Sequence, residues 1–175
     1  MSKLEEQHRK DYAKAGAVRR QLEAILRAAR DGEVLELDRC LDDYAAEVLR
    51  EERSSHGLAD GDESDADDYP AGHFGMGTAT KPSKEARLLE FKREGAMQFK
   101  DGNGRSALHF AASAGQVATA SQILKLAPAA HSITDDNGAT PLVLAAGAVQ
   151  DPAEVAKVVQ LLLDAQADPN CADKS

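Results

Sequence analysis

The sequence predicts an all-α solenoid of stacked helix–turn–helix units with hairpin loops, a long N-terminal helix and an inserted acidic loop. Three observations predict it. The stretch Asp101-Gly102-Asn103-Gly104-Arg105-Ser106-Ala107-Leu108-His109-Phe110-Ala111-Ala112 returns as Asp135-Asp136-Asn137-Gly138-Ala139-Thr140-Pro141-Leu142-Val143-Leu144-Ala145-Ala146, an offset of 34 residues. A fixed period of that size marks units that bury their apolar faces by stacking. Elsewhere apolar residues recur at helical spacing. Aromatic residues make up only 4% of the 175 and tryptophan is absent, so Ala and Leu between closely packed helices fit better than a β-sandwich.

The elements follow in order. Residues 1–30 carry eight Lys/Arg against four Asp/Glu, whereas 31–59 carry nine acids against three bases. Leu22, Ile25, Leu26 and Ala29 share one helical face, and Val34, Leu37, Cys40, Leu41 and Tyr44 share another. Asp31-Gly32 between them is a helix break. Residues 1–52 therefore read as a long helix, a tight turn and a second helix. From 53 to 82 the periodicity stops. Gly57, Gly61, Pro70, Gly72, Gly75, Gly77 and the run Asp60-Gly61-Asp62-Glu63-Ser64-Asp65-Ala66-Asp67-Asp68 cannot bury enough apolar surface to offset the entropy of ordering, so disorder is expected. Ser83 is placed to N-cap a short helix over 84–95, with Leu88, Leu89 and Phe91 on its apolar side. Residues 53–100 then form an acidic insertion with one short helix, and 101–175 hold two repeats, 101–134 and 135–172, with the start of a third.

Within each repeat the residues have separate physical jobs. Gly104 and Gly138 suit a turn that needs positive φ. Ser106 and Thr140 can accept hydrogen bonds from the free amides of a helix start, and Pro141 sits where a missing N–H costs little. Leu108 and Leu142 bury the first helix, while Ala111-Ala112 and Ala145-Ala146 keep it thin enough for close neighbours. A second helix follows, with Ile123-Leu124 in one unit and Leu161-Leu162-Leu163 in the other.

These residues resemble the ankyrin repeat, whose pattern runs D-x-x-G-x-T-P-L-H-x-A-A-x-x-G, then a second helix ending in L-L, then G-A-D-x-N. Thr140-Pro141-Leu142 matches it, as do Asn103 to Ala112 with Gly115. Leu162-Leu163-Asp164-Ala165-Gln166-Ala167-Asp168-Pro169-Asn170 matches the repeat's end, with Gln166 in the usual glycine position. Leu26-Arg27-Ala28-Ala29-Arg30-Asp31-Gly32 with Cys40-Leu41 resembles a degenerate N-terminal capping repeat. His109 keeps the family's histidine, which the resemblance implies bonds between neighbouring loops, but the second unit has Val143 there. About five extra residues around 147–152 predict a bulged loop, and Asp173-Lys174-Ser175 reads as the opening of a further unit. The helix over 155–163 would then show an apolar face, to be covered by the N-terminal helix, the insertion or a partner.

The resemblance implies protein binding by loop tips and first helices. Carried over, the partner-binding positions are Gly102, Asn103, Arg105, Ser113 and Ala114 in the first clear repeat. In the second they are Asp136, Asn137, Ala139, Gly147 and Ala148, and in the cap Arg30 and Asp31. A separate candidate is an acidic docking loop of Asp60, Asp62, Glu63, Asp65, Asp67 and Asp68, set against the plain reading of a solvated linker.

Other chemistries find little support. The net charge of -9 argues against general affinity for nucleic acid or an anionic membrane surface. No run of about 18 apolar residues predicts a membrane span, and the N-terminus predicts neither a secretory signal nor a transit peptide. Cys40 and Cys171 lack metal-ligand spacing and read as reduced thiols of a cytoplasmic protein. The five histidines, at 8, 56, 73, 109 and 131, show no paired-ligand spacing. Gly72-His73-Phe74-Gly75-Met76-Gly77 has no preceding strand and no phosphate-binding Lys-Ser/Thr, so it reads as loop. No catalytic residue, metal, cofactor or small-molecule substrate is expected. The sequence thus predicts a non-enzymatic adaptor or structural subunit of a larger cytosolic or cytoskeletal assembly. The alternative is a regulatory subunit or inhibitor acting on a bound enzyme through the acidic insertion.

Overall fold

In the computed structural model, residues 3–55, 83–148 and 151–171 are described. Among them lie seven α-helices: α1 Lys3–Asp31, α2 Val34–Ser55, α3 Lys84–Gln98, α4 Ala107–Ser113, α5 Val117–Leu126, α6 Pro141–Ala146 and α7 Pro152–Asp164. A short 3-10 turn, Pro128–Ser132, follows α5, and the described residues contain no strand beyond an isolated bridge between Lys100 and Ser106. The helices stack in two rows. First helices α1, α4 and α6 pack side by side, and second helices α2, α5 and α7 form the row behind them.

Each element forms for local reasons. On α1, Ile25, Leu26, Ala28 and Ala29 are buried while Arg19, Arg20, Glu23, Arg27 and Arg30 face out, which is the one-sided pattern of a docked helix. The helix stops at Gly32, in the left-handed region at φ 81°, where the Glu33 amide donates to the Ala28 carbonyl at 3.0 Å. The same closure recurs after α4, where Gln116 N–H bonds Ala111 O at 2.9 Å around Gly115. It recurs after α7 with Ala167 N–H on Leu162 O at 3.0 Å, but there the left-handed residue is Gln166, at φ 67°.

The core runs through the stack rather than gathering at one centre. Ile25, Leu37, Leu41, Leu108, Ile123 and Leu162 are fully buried, each stabilising by about 1.5–3 kcal/mol on burial. Ala111, Ala112, Ala120 and Ala145 lie between them and let neighbouring helices approach.

Helix α3 differs from expectation in length and in where along it burial is deepest; Leu88 and Phe91 of the expected apolar side are half-buried. It begins as the sequence indicates, with Ser83 Oγ accepting from Ala86 N–H at 3.2 Å, but runs on to Gln98. Leu89 is exposed; the buried residues are Gly95 and Ala96. An added Cβ at Gly95 would lie 2.8 Å from Tyr44 Cδ1 and 3.3 Å from Leu41 Cδ2, so the missing side chain is what lets α3 meet α2. Arg87 pairs with Glu52, Lys92 with Asp42, and Tyr44 packs edge-on against Phe99 at 4.7 Å between centroids. These contacts run α3 back along α2, and α3 also meets α5 and α4 of the following unit. Helix α7 rests on α5, α6 and α4, and Leu163 on its outer side is 40% exposed.

Candidate functional site

The hairpins between units are set by one aspartate each. Asp101 Oδ1 accepts from the amides of Asn103 and Arg105 at 2.9 and 2.8 Å, and Gly104 turns the chain at φ 74°. Asp135 Oδ1 does the same for Asn137 and Ala139, at 2.9 and 2.8 Å, with Gly138 at φ 82°. The two loops match bond for bond because the side chain that caps the turn and the glycine that permits it sit three residues apart in both. Their tips project from the stack, with Gly102, Asn103, Asp136 and Asn137 exposed.

Three contacts fix one loop against the next. Asp136 N–H donates to Asn103 O at 3.0 Å. Arg105 Nε lies 3.6 Å from Asp135 Oδ2, an ion pair whose carboxylate is almost wholly buried. His109, fully buried, is the third. Its Nδ1 accepts from Ser106 N–H at 3.1 Å and sits 2.8 Å from Ser106 Oγ, so Nε2 carries the proton and donates to Ala139 O at 3.2 Å. Burial holds its pKa below the ordinary histidine value, against the opposing pull of the Ala139 carbonyl and the Asp135 charge. The inter-loop role implied by the resemblance is what this geometry shows.

The carried-over binding positions fall into three settings. Arg30 and Asp31 are exposed at the end of α1 and pair with each other at 3.1 Å. Ser113 and Ala114 close α4 and are half-buried, with Ser113 Oγ donating to Phe110 O at 3.1 Å; Gly147 and Ala148 close α6, the first exposed and the second half-buried. Ala139 stands apart. It is 3% exposed, and its backbone is taken up by Asp135 and His109, so it supports the loop without presenting a side chain outward. Arg105 is likewise partly committed to Asp135. Asp60, Asp62, Glu63, Asp65, Asp67 and Asp68 lie outside the described residues.

Sequence reasoning missed two side chains on the first helices. Phe110 and Leu144 each follow the position held by His109 or Val143, and both are half-buried beside Ser113 and Gly147 one turn on. Their register was the available signal, since Arg27 occupies the matching place on α1 and is exposed. The row therefore changes from cationic at the cap to apolar at the second clear repeat.

Among the described residues no three His, Cys, Asp or Glu side chains converge as metal ligands, and no helix is long and apolar enough to cross a membrane. A shallow groove of about 420 Å³ between α5 and α7 is lined by Val117, Ala156, Lys157, Gln160, Leu161 and Asp164. Burial pushes the Cys40 thiol up, with Glu36 and Asp43 adding to the effect, which suits an inert structural thiol.

Stacked helical pairs joined by Asp-x-x-Gly hairpins define a repeat protein of the helix–turn–helix class. The family profile for ankyrin repeats in three copies matches residues 83–173, just over half of the sequence, and the chain belongs to that family. The match takes in α3, which the sequence alone placed in the insertion. No curated protein matches the chain. Ankyrin repeats are generally protein–protein interaction modules, typically without catalytic activity.

Proposed function

We propose that this chain is a non-enzymatic adaptor or structural subunit that holds a protein partner against its hairpin tips and first helices. The observation that carries this reading is the alignment of three first helices, α1, α4 and α6, with half-buried or exposed side chains at the same place on each. Arg27, Phe110 and Leu144 form one row along that face; Arg30, Ser113 and Gly147 form the next. A surface that is cationic at one end and apolar at the other, on a scaffold fixed by buried hydrogen bonds, suits an extended protein segment. The cytoplasm, or a large assembly within it, is the setting this reading implies.

The test is affinity purification of the tagged full chain beside two altered forms, with bound proteins identified by mass spectrometry. One carries Ser113→Arg and Ala114→Arg, which obstruct the first-helix face; the other lacks residues 55–80. Loss of the partner from the first and its retention by the second supports the reading. Loss only on deletion of 55–80 makes the acidic insertion the binding element and favours a regulatory role for it.

A further inference from the structure

The two hairpins repeat a reactive pair as well as a turn. The chain has three asparagines, and two of them, Asn103 and Asn137, precede a glycine at a hairpin tip. Both are exposed. Asn103 remains so with the next hairpin bonded to its carbonyl, so exposure belongs to the tip and not to an end of the stack. The side-chain amide of an asparagine lies within reach of the next residue's backbone nitrogen, and attack by that nitrogen closes a cyclic imide. A β-carbon on the next residue crowds the ring, and glycine has none.

The turn that displays the pair also restrains it. Gly104 N–H donates to Asp101 O at 3.1 Å, and Gly138 N–H to Asp135 O at 3.0 Å. The backbone N–H of each asparagine is held as well, at 2.9 Å from the aspartate Oδ1 of its own turn. The glycine nitrogen is the nucleophile, and it must leave its carbonyl and lose its proton before it attacks. Asn170 supplies the contrast within the chain. It is exposed and its N–H donates to Asp168 Oδ1 at 2.8 Å, but Cys171 follows it in place of glycine.

We propose that Asn103 and Asn137 are sites of spontaneous deamidation in the folded chain, with each aspartate-anchored turn setting the rate. The glycine nitrogen bonds to the asparagine Cγ and the Cγ–Nδ2 bond breaks. Ammonia leaves with the proton that the glycine nitrogen gives up. Water then opens the imide at either carbonyl, leaving aspartate or its β-linked isomer. Each conversion adds a negative charge to a tip. At position 103 the new carboxylate faces Asp101 Oδ2, from which the amide nitrogen now stands 3.5 Å, so two like charges meet and the turn loosens. No partner enters the reaction, so it stands without the binding reading.

The test is incubation of the full chain at mildly alkaline pH, followed by tryptic digestion and mass spectrometry. Cleavage after Lys and Arg puts Asn103, Asn137 and Asn170 on separate peptides, residues 101–105, 126–157 and 158–174. The readout is the mass gained when amide becomes acid. Asn103 and Asn137 are expected to convert in the folded chain, and about tenfold or more faster in guanidinium chloride, since attack requires local opening of the turn. Asn170 should lag behind both in either state. Asp101→Ala frees the first turn and should speed conversion at Asn103 severalfold. Asn137 in the same molecules should keep its rate, which shows that the domain stays folded. No conversion in the folded chain while the unfolded chain converts would overturn the proposal. So would a rate at Asn170 equal to the other two, or an Asp101→Ala variant in which Asn103 is unchanged or both sites speed up alike.

Discussion

His109 Nε2 lies 3.2 Å from the carbonyl oxygen of Ala139, thirty residues along the chain, and both groups are buried. That bond joins one repeat to the next at a place water does not reach. Replacing His109 with Ala leaves the Ser106 amide without its partner, removes one of two donors from the Ala139 carbonyl, which keeps the Asp135 amide at 2.9 Å, and opens a cavity between the loops. A loss of about 2–4 kcal/mol is expected in urea denaturation of the full chain. A loss under about 1 kcal/mol would mean that the stacked helices alone hold the repeats together.

The same histidine gives stability a dependence on pH. Burial lowers its pKa in the folded state below the value of 6.5 that it has when unfolded. Between the two values the unfolded chain holds more protons, so folding weakens as pH falls. The contribution is fully present above about 6.5 and is lost on descending towards the folded value. Thermal unfolding of the unaltered chain and of His109→Asn, scanned from about pH 7.5 to about pH 5, should give melting temperatures that converge at the acid end. A constant gap would show that the ring is not held neutral.

Gly95 should not tolerate a larger residue. A valine there would drive its side chain into the Tyr44 ring and the Leu41 side chain, and the gain from removing a helical glycine is smaller than that cost. Gly95→Val is expected to lose about 1–3 kcal/mol. In hydrogen exchange the loss should appear first in α3 and in the half of α2 that it covers.

Gln166 should welcome the opposite change. It holds φ at 67°, a conformation that costs a side chain about 1 kcal/mol and a glycine almost nothing. Gln166→Gly is therefore expected to raise stability by about 0.5–1 kcal/mol, visible as a small increase in melting temperature. A decrease would mean that the glutamine side chain makes up for its backbone.

The hairpins were legible in the sequence because each rests on a short-range rule. An aspartate three residues before a glycine is sufficient to cap and turn the chain, and Asp101 with Gly104 does so as Asp135 with Gly138 does. The N-cap of α3 and the break at Gly32 were legible for the same reason. The place where α3 comes closest to α2 was not, although Leu88 and Phe91 are half-buried on the same face. Leu88, Leu89 and Phe91 form the evident apolar group, but the close approach is made at Gly95, where the absence of a side chain matters and leaves no hydrophobic signal. Burial along the proposed face was also hidden. Ala139 occupies a position exposed by analogy, yet a hydrogen bond from a residue thirty places earlier draws it inside.

Arg87 near the start of α3 pairs with Glu52 near the end of α2, so the end of one helix and the start of the next lie side by side. Residues 56–82 therefore close a loop whose two ends are already held together by folded helices. The cost of closing such a loop rises only with the logarithm of its length, about 0.6 kcal/mol for each doubling. Lengthening, shortening or exchanging this segment is therefore expected to leave the repeats on either side in register, with a melting temperature close to that of the unaltered chain.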